Sequence, residues 1–369
     1  MGMPIRILHI VVNMNRGGAE NLIMNLYRKM DRSKIQFDFL TCKSGVFDSE
    51  INQLGGKIHR IPYISEIGHF KYSKRLREFF AENKEYWIVH SHLDKMSGLV
   101  LRAAEKAKIP IRIAHSHNTM SEGGALTKCY KWLMGCYVHH NSSHRLACSE
   151  KASKWLFGKT ESMILKNGID GQKYRFSHQN RNRIRKELDI GEDTFVVGHV
   201  GRFCHQKNHV FIINIFREIV KLKANSILLL AGGGPLQDAI EKKVNRLNLG
   251  GKVKFLGIRG DVNDLLHAFD LLLFPSHHEG LPLALVEAQA SGLPCLISDV
   301  ISNEVDLGAG LIQYERLTTP PKEWAVHALA MKKRLSDIND LIKLKGYDIN
   351  LSAGWLESFY LQIHPWKEQ

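Results

Sequence analysis

The feature that most constrains this chain is an alternation, run through twice, of short apolar runs with longer amphipathic segments. Ile7–Val12, Gln36–Thr41, Trp87–His90, Ile111–His115 and Arg145–Cys148 are short enough to read as strands, and each adjoins a stretch with helical spacing, such as Ala19–Met30. After Asn167-Gly168-Ile169-Asp170 the pattern restarts. Thr194–Val200, Ser226–Ala231, Val253–Leu256, Leu271–Pro275 and Pro294–Ser298 read as buried strands, with His209–Lys223 and Pro235–Leu247 as helices between them. Strands without a polar alternation are covered on both faces, which happens when helices flank a parallel sheet. The expected fold class is α/β, in two parallel-sheet domains of similar size. The 369 residues are enough for two cores. The polar, Arg-rich Gly171–Asp193 reads as a linker followed by a short helix, and Leu351–Ile363 as a final helix, for which a cap on the second domain is the plainest account.

Charge is unevenly placed. Residues 1–170 carry 26 Lys+Arg against 15 Asp+Glu, net +11, whereas the remainder carries 25 against 22, net +3. A basic first half points to an anionic partner: nucleic acid, a phospholipid surface or a phosphorylated substrate. A solvated surface is the plainer account. Recognition-helix, zinc-finger and RNP signatures are missing, so nucleic acid is not expected as a partner. The six cysteines form no C-x-x-C pair and no zinc-spaced cluster with His, which fits a reducing compartment and an absence of bound metal. No run approaches the roughly 18 apolar residues of a spanning helix, so any membrane contact is expected to be peripheral. Residues 69–80 (HFKYSKRLREFF) and 125–137 (ALTKCYKWLMGCY) interleave basic and aromatic side chains. That mixture suits an anionic bilayer surface, or equally a helix whose apolar face packs on the sheet.

Three motifs carry the chemistry. Gly17-Gly18-Ala19-Glu20 follows the first strand and opens a helix; its glycines let a ligand approach a helix N-terminus, or merely make a tight corner. It is not G-x-G-x-x-G, which disfavours a nicotinamide cofactor. Gly201-Arg202-Phe203-Cys204-His205-Gln206-Lys207-Asn208 follows a buried strand at its carboxyl end, where open α/β sheets bind ligands. Its Arg and Lys together suit a diphosphate. The third motif, Phe274 to Ala288, runs from a buried strand through Pro275 and Gly280 into a helix near Pro282. Free N–H groups from Gly280, Leu281 and their neighbours make a cradle there. Glu279 sits in the loop and Glu287 eight residues on, about two helical turns along, so both are expected to face one cleft as acceptors for sugar and ribose hydroxyls.

These residues resemble the E-x7-E motif of the retaining glycosyltransferases of family 4, which have the GT-B fold. Further segments are similar in the family's order: Gly17 to Glu20, Ala114-His115-Ser116-His117-Asn118, Asn167 to Asp170, the Gly201, Arg202, Lys207, Asn208 pattern, Ala231-Gly232-Gly233-Gly234-Pro235, and Val253 to Gly257 with Asp261-Val262. Residues 90–94 (HSHLD), 114–118 and 146–150 (LACSE) look most like bacterial exopolysaccharide and capsule transferases. The resemblance implies two Rossmann-like domains facing across a cleft. Residues 1–170 with about 351–369 would form the acceptor side, and 171–350 the donor side. It further implies that Arg202 and Lys207 hold the diphosphate, Glu287 the ribose and Glu279 the transferred sugar. Gly280, Leu281 and Pro282 would assist, His117 would touch the sugar with Asn118 beside it, Gly17 and Gly18 would admit donor or acceptor, and Gly257 would lie near the base. Residues 307–345 depart from the family pattern, and the Gly232–Gly234 turn lacks the acidic residue frequent at its middle.

The function implied is transfer, with retention, of a hexosyl or N-acetylhexosaminyl group from a nucleotide sugar, UDP-linked, to a glycan or polyprenyl-diphosphate-linked acceptor. The setting is cytoplasmic, peripheral on the inner face of the cell membrane. The nucleotide sugar is a substrate, and no cofactor or metal is expected, since no Asp-x-Asp accompanies the donor motifs. A GT-B nucleotide-sugar epimerase and a basic nucleic-acid-binding protein are the rival readings. A glycoside hydrolase also uses two carboxylates but needs no cations for a diphosphate.

Overall fold

The computed structural model describes residues 3–121, 123–332, 334–335 and 338–365. The chain divides into two compact units, Met1–Gly168 with Asp348–Gln369, and Ile169–Tyr347.

The first unit is built on a wholly parallel seven-stranded sheet. Its strands are β1 (Ile5–Ile10), β2 (Ile35–Thr41), β3 (Ile58–Arg60), β4 (Ile88–Ser91), β5 (Ile111–Ser116), β6 (His144–Ala147) and β7 (Met163–Ile164). They lie in the order β3-β2-β1-β4-β5-β6-β7. The second unit holds a wholly parallel six-stranded sheet of β8 (Phe195–Val200), β9 (Ser226–Ala231), β10 (Val253–Phe255), β11 (Leu271–Phe274), β12 (Cys295–Ser298) and β13 (Ile312–Glu315), in the order β10-β9-β8-β11-β12-β13. Both are doubly wound: the chain runs outward in one direction, then returns to the first strand of the set and runs the other way. The reversal falls between β1 and β4 in the first unit and between β8 and β11 in the second. At such a reversal the loops beyond the carboxyl ends part and leave a crevice.

Every strand residue of β2 and β9 is buried, as a central strand covered on both faces requires. The strands that give no apolar run, β3, β7 and β13, sit at or next to the sheet edges and are only partly buried. Each unit has its own apolar core. In the first, Ile7, Phe37 and Phe39 pack with Leu22 and Tyr27 of helix Gly18–Lys29 and with Leu356 and Tyr360 of helix Ile349–Ile363. In the second, Leu228, Leu230 and Leu273 pack with Ile212 and Phe216 of helix His209–Leu222 and with Trp324.

The final helix belongs to the first unit. It starts at Ile349, with the Asp348 carboxylate accepting hydrogen bonds from the N–H groups of Asn350 and Leu351, and it packs on helix Gly18–Lys29. Residues 366–369 lie outside the described part. One expectation from the sequence needs correction: Gly171–Asp193 does not open as a linker. It forms helices Gly171–Tyr174 and His178–Glu187, which pack on helix Val262–Ala268. Arg185 is 4% exposed and donates to the carbonyl of Ala268 and to Asp270 Oδ2 at 2.8 Å, while Arg181 donates to the carbonyls of His267 and Ala268 and to Asp270 Oδ1 at 2.6 Å. Arg334 donates to the carbonyls of Leu266 and Phe269. Three guanidinium groups thus satisfy the carbonyl end of one short helix, where its dipole is negative. A run of arginines in sequence ordinarily means solvent; these have found carbonyls.

Candidate active site

In the second unit the loops following β8 and β11 lie side by side because those strands are neighbours. A dense set of contacts joins them. Gln206 accepts from the His277 N–H at 2.8 Å through its carbonyl, and its side-chain amide donates to the His278 carbonyl at 2.9 Å and to Glu279 Oε2 at 3.2 Å. Asn208, in the left-handed conformation at φ 54°, donates to the Pro275 carbonyl at 3.2 Å. The His205 and His277 rings stack with centroids 4.7 Å apart. At the centre, Lys207 Nζ donates to Glu279 Oε1 at 2.6 Å and lies 4.6 Å from the centre of the Phe274 ring. Their side chains are only 16% and 7% exposed, so this is an ion pair largely withdrawn from water. Arg202 is exposed on the same loop and makes no ion pair among the described residues.

Two of the three glycines after β9, the outer ones, are explained by this loop. A Cβ on Gly232 would lie 2.0 Å from the Gly201 carbonyl oxygen, and Gly232 has φ +142°. A Cβ on Gly234 would lie 2.6 Å from the Phe203 oxygen. Only bare backbone fits against the Arg202 segment, which leaves no room for any side chain, acidic or otherwise, at those two positions.

The helix begins at Leu283, with Pro282 as its N-cap, so Glu279 is presented by the loop and only Glu287 by the helix. Glu287 accepts a hydrogen bond from the Tyr174 hydroxyl at 2.8 Å. Burial lifts the Glu287 carboxyl above the ordinary carboxylate range, and the Tyr174 hydroxyl opposes that rise. Gly280, Leu281 and Pro282 occupy the turn before the helix, whose first N–H groups have no intrahelical partner. Gly257 has φ +65°, and its carbonyl accepts from the Gly232 N–H at 2.8 Å, next to the same loops.

In the first unit the reversal between β1 and β4 is marked by histidines. His9, His90, His92, His115 and His117 lie at or just beyond the carboxyl ends of β1, β4 and β5, on alternate positions and hence on one face. Their rings lie against one another, stacked for His90 and His92 with centroids 4.3 Å apart and tilted for His115 and His117 at 4.1 Å. They also share hydrogen bonds: His9 Nδ1 with His92 Nε2 at 2.9 Å, His92 Nδ1 with His117 Nε2 at 2.8 Å, and His90 Nε2 with His115 Nδ1 at 3.2 Å. His90 Nδ1 meets the Tyr360 hydroxyl at 2.6 Å. Burial depresses all five imidazoles, His9 and His117 to about 3, so the group is neutral at pH 7. Asp94 fixes the neighbouring loop: Oδ1 accepts from the His117 N–H at 2.9 Å and Oδ2 from the Asn118 side chain at 2.6 Å. Beside it opens a cavity of about 280 Å³, lined by Val12, Tyr72, His92, Asp94, Asn118 and Trp155 among others. Gly17 and Gly18 begin their helix nearby in sequence; a Cβ on Gly18 would meet nothing within 4 Å, so that position is open to an incoming group.

Of the residues expected from sequence, Lys207 and Glu279 are brought into contact, Glu287 is bonded on its helix to Tyr174, and His117 and Asn118 share Asp94. Sequence reasoning missed Tyr174, Gln206, Asp94 and His92. Gln206 and Asp94 lay inside motifs already noticed; Tyr174 lay in the stretch taken for a linker.

Two doubly wound parallel sheets in one chain, with neighbouring loops of cations and acids at the strand-order reversal of the second, define a GT-B protein. HepE from Anabaena, solved in complex with UDP and glucose, has the same fold with a TM-score of 0.74, at 20% identity over 96% of this chain and 95% of that one. Residues 17–157 match the profile of the glycosyl transferase 4-like domain and residues 180–340 that of glycosyl transferases group 1. The glycosyltransferase EpsF of Bacillus subtilis is 37% identical over 368 residues, covering 96% of each chain. The capsular polysaccharide biosynthesis glycosyltransferase CapH of Staphylococcus aureus is 30% identical, over 97% of this chain and 99% of its own. A UDP-Gal:alpha-D-GlcNAc-diphosphoundecaprenol alpha-1,3-galactosyltransferase of Escherichia coli is 25% identical over 81% of this chain and 80% of its own. The chain belongs to the glycosyltransferases of family 4.

Proposed function

We propose that this glycosyltransferase moves a hexosyl or N-acetylhexosaminyl group, with retention, from a UDP-linked sugar to a polyprenyl-diphosphate-linked or glycan acceptor in bacterial polysaccharide synthesis. The observation that carries the proposal is the withdrawn Lys207–Glu279 pair at the β8/β11 reversal, with Arg202 exposed beside it. As the C1–O bond to the diphosphate breaks, negative charge grows on the leaving oxygens. Arg202 and Lys207 are placed to meet it, with Glu279 orienting the ammonium and accepting from sugar hydroxyls. Glu287, held by Tyr174, accepts from the ribose. The acceptor oxygen forms the new bond to C1 on the face the diphosphate leaves, and its proton passes to the departing phosphate oxygen. No side chain in this scheme forms a covalent intermediate. The charge is met by Arg202 and Lys207 without a divalent ion, so turnover should persist in EDTA.

The cavity beside His92 and Asn118 suits the acceptor's head. For a lipid-linked acceptor the first unit offers a surface. Phe70, Leu126, Trp132 and Leu133 are exposed among lysines, and the His69–Tyr130 hydrogen bond at 2.7 Å joins the two helices that carry them. Tyr72, Phe79 and Phe80 are buried, so much of the aromatic content of residues 69–80 is core and the exposed patch is smaller than the sequence suggests. No helix among the described residues is long and apolar enough to cross a membrane. This surface supports peripheral attachment to the inner face of the cell membrane.

The test is a thermal-shift screen of nucleotide sugars followed by product analysis with lipid-linked acceptors. UDP-sugars should raise the melting temperature and one should yield an α-linked product. Selective stabilisation by a GDP- or ADP-sugar would defeat the assignment of the base, a β-linked product the assignment of retention, and conversion of the donor without acceptor would favour an epimerase.

A further inference from the structure

We propose that His92, His115 and His117 bind one first-row transition-metal ion, with zinc the ion their chemistry suits best. One ring nitrogen from each of the three lies within 4.8 Å of those from the other two. They are set by backbone register and not by flexible loops alone: β4 and β5 are hydrogen-bonded neighbours, His115 lies within β5, and His92 and His117 each follow directly at a strand's carboxyl end. A second observation points to a ligand. Nε2 of His115 is buried and has no hydrogen-bond partner. Buried polar atoms left in that state are rare in folded chains and call for an explanation.

The geometry needs little change. With zinc–nitrogen bonds of about 2.0–2.1 Å, tetrahedral ligand atoms sit about 3.3 Å apart. The His92–His117 separation of 2.8 Å therefore has to open by roughly half an ångström. With His115 ligating through Nε2 and His92 through Nδ1, their opposite nitrogens stay bonded to His90 and His9, the outer contacts that fix ring orientation in metal sites. All three imidazoles are neutral at pH 7 because they are buried, and neutral imidazole is the form that ligates. An all-nitrogen set favours zinc, copper or nickel over magnesium or calcium, which take oxygen ligands. Entry is open, since His92 also lines the cavity described above. The alternative trio of His9, His90 and His92 is less suited, because both nitrogens of His90 are already engaged by His115 and Tyr360. An ion at His117 removes that ring from any substrate contact, so the metal-free chain is the transfer-competent form; that consequence rests on the function proposed above, whereas binding does not.

Binding is read without activity. The full chain, free of any affinity tag and stripped with EDTA, is dialysed against buffered zinc at pH 7.5 and its metal content measured. One zinc per chain is expected, retained when the exposed Cys129 and Cys136 are changed to serine and weakened at least tenfold in His115→Gln. Substoichiometric uptake by the native chain, or equal uptake by His115→Gln, would overturn the site. Should His115→Gln fail to fold, cobalt added to the native chain decides: an intense four-coordinate visible spectrum without a thiolate band supports the site, and a weak octahedral spectrum or a thiolate band refutes it.

Discussion

Lowering the pH should unfold the first unit, and the size of the effect follows from its histidine column. An imidazole whose folded pKa lies below its unfolded value of about 6.5 gives stability that is fully present above that value and is lost as pH falls, because the unfolded chain binds the proton more readily. For His9 and His117, both depressed to about 3 by burial, the loss between neutral pH and pH 5 is about 2 kcal/mol each. His90, His92 and His115 are held well below 6.5 by the same burial and by one another. His9 and His117 together give about 4 kcal/mol at pH 5, and the other three act in the same direction, so the loss is a large share of a domain's stability. The assay is urea unfolding at half-unit pH steps in metal-free buffer, with hydrogen exchange read by peptide. Protection of β1, β4 and β5 should collapse between pH 6 and pH 5, before that of β8 and β9. Replacing His9 with asparagine should lessen the slope of unfolding free energy against pH by about 1.4 kcal/mol per unit. A urea midpoint that is level from pH 7.5 to pH 5, or a slope the His9 change leaves untouched, would refute the reasoning.

Other outcomes are expected from the second unit. Lys207→Ala takes the ammonium away from the withdrawn Glu279 carboxylate, and should cost about 3 kcal/mol by urea unfolding and at least about 100-fold in turnover. Tyr174→Phe removes the hydrogen bond that holds the Glu287 carboxyl down, so the rise in donor KM on acidification should begin at a higher pH than in the native chain; superimposable KM–pH profiles would exclude that role. Gly234→Ala should destabilise by about 1–3 kcal/mol through collision with the Phe203 carbonyl, whereas Gly251→Ala, whose Cβ meets nothing within 4 Å, should lie within about 0.5 kcal/mol of native in the same melting assay. Asp270→Asn strips the carboxylate from Arg181 and Arg185 and should lower stability by about 3–5 kcal/mol, read as an earlier urea midpoint.

The central strands were legible in the sequence because burial on both faces demands apolar side chains throughout. Ser226–Ala231 matches β9 residue for residue, and the other central strands differ by one or two residues at their ends. The edge strands β3 and β13 were not, since half-exposed backbone makes no such demand. Of the candidate site, Arg202, Lys207 and Glu279 stood out because charges beside a buried strand are conspicuous. What the sequence could not show was pairing. Lys207 meets Glu279 across 72 positions, and Tyr174 meets Glu287 across 113. The histidines at 90, 92, 115 and 117 were visible in two segments, but their assembly with His9 depends on the strand order, which places β1 beside β4. The arginines at 181 and 185 misled because their partners are carbonyls, which every residue has and no sequence pattern advertises.

The return of helix Ile349–Ile363 to the first unit bears on how the protein is made. Its apolar face, with Tyr360 touching His90, completes a core whose other members lie before residue 168. Residues 169–347 are synthesised in between, so at about 5–20 residues per second the amino-terminal half waits on the ribosome for roughly 10–35 seconds with that flank uncovered. A nascent chain of this kind has a window in which a chaperone can hold it, and a stop codon only a few dozen positions early would deprive the first-made half, not the last-made one, of its closing piece.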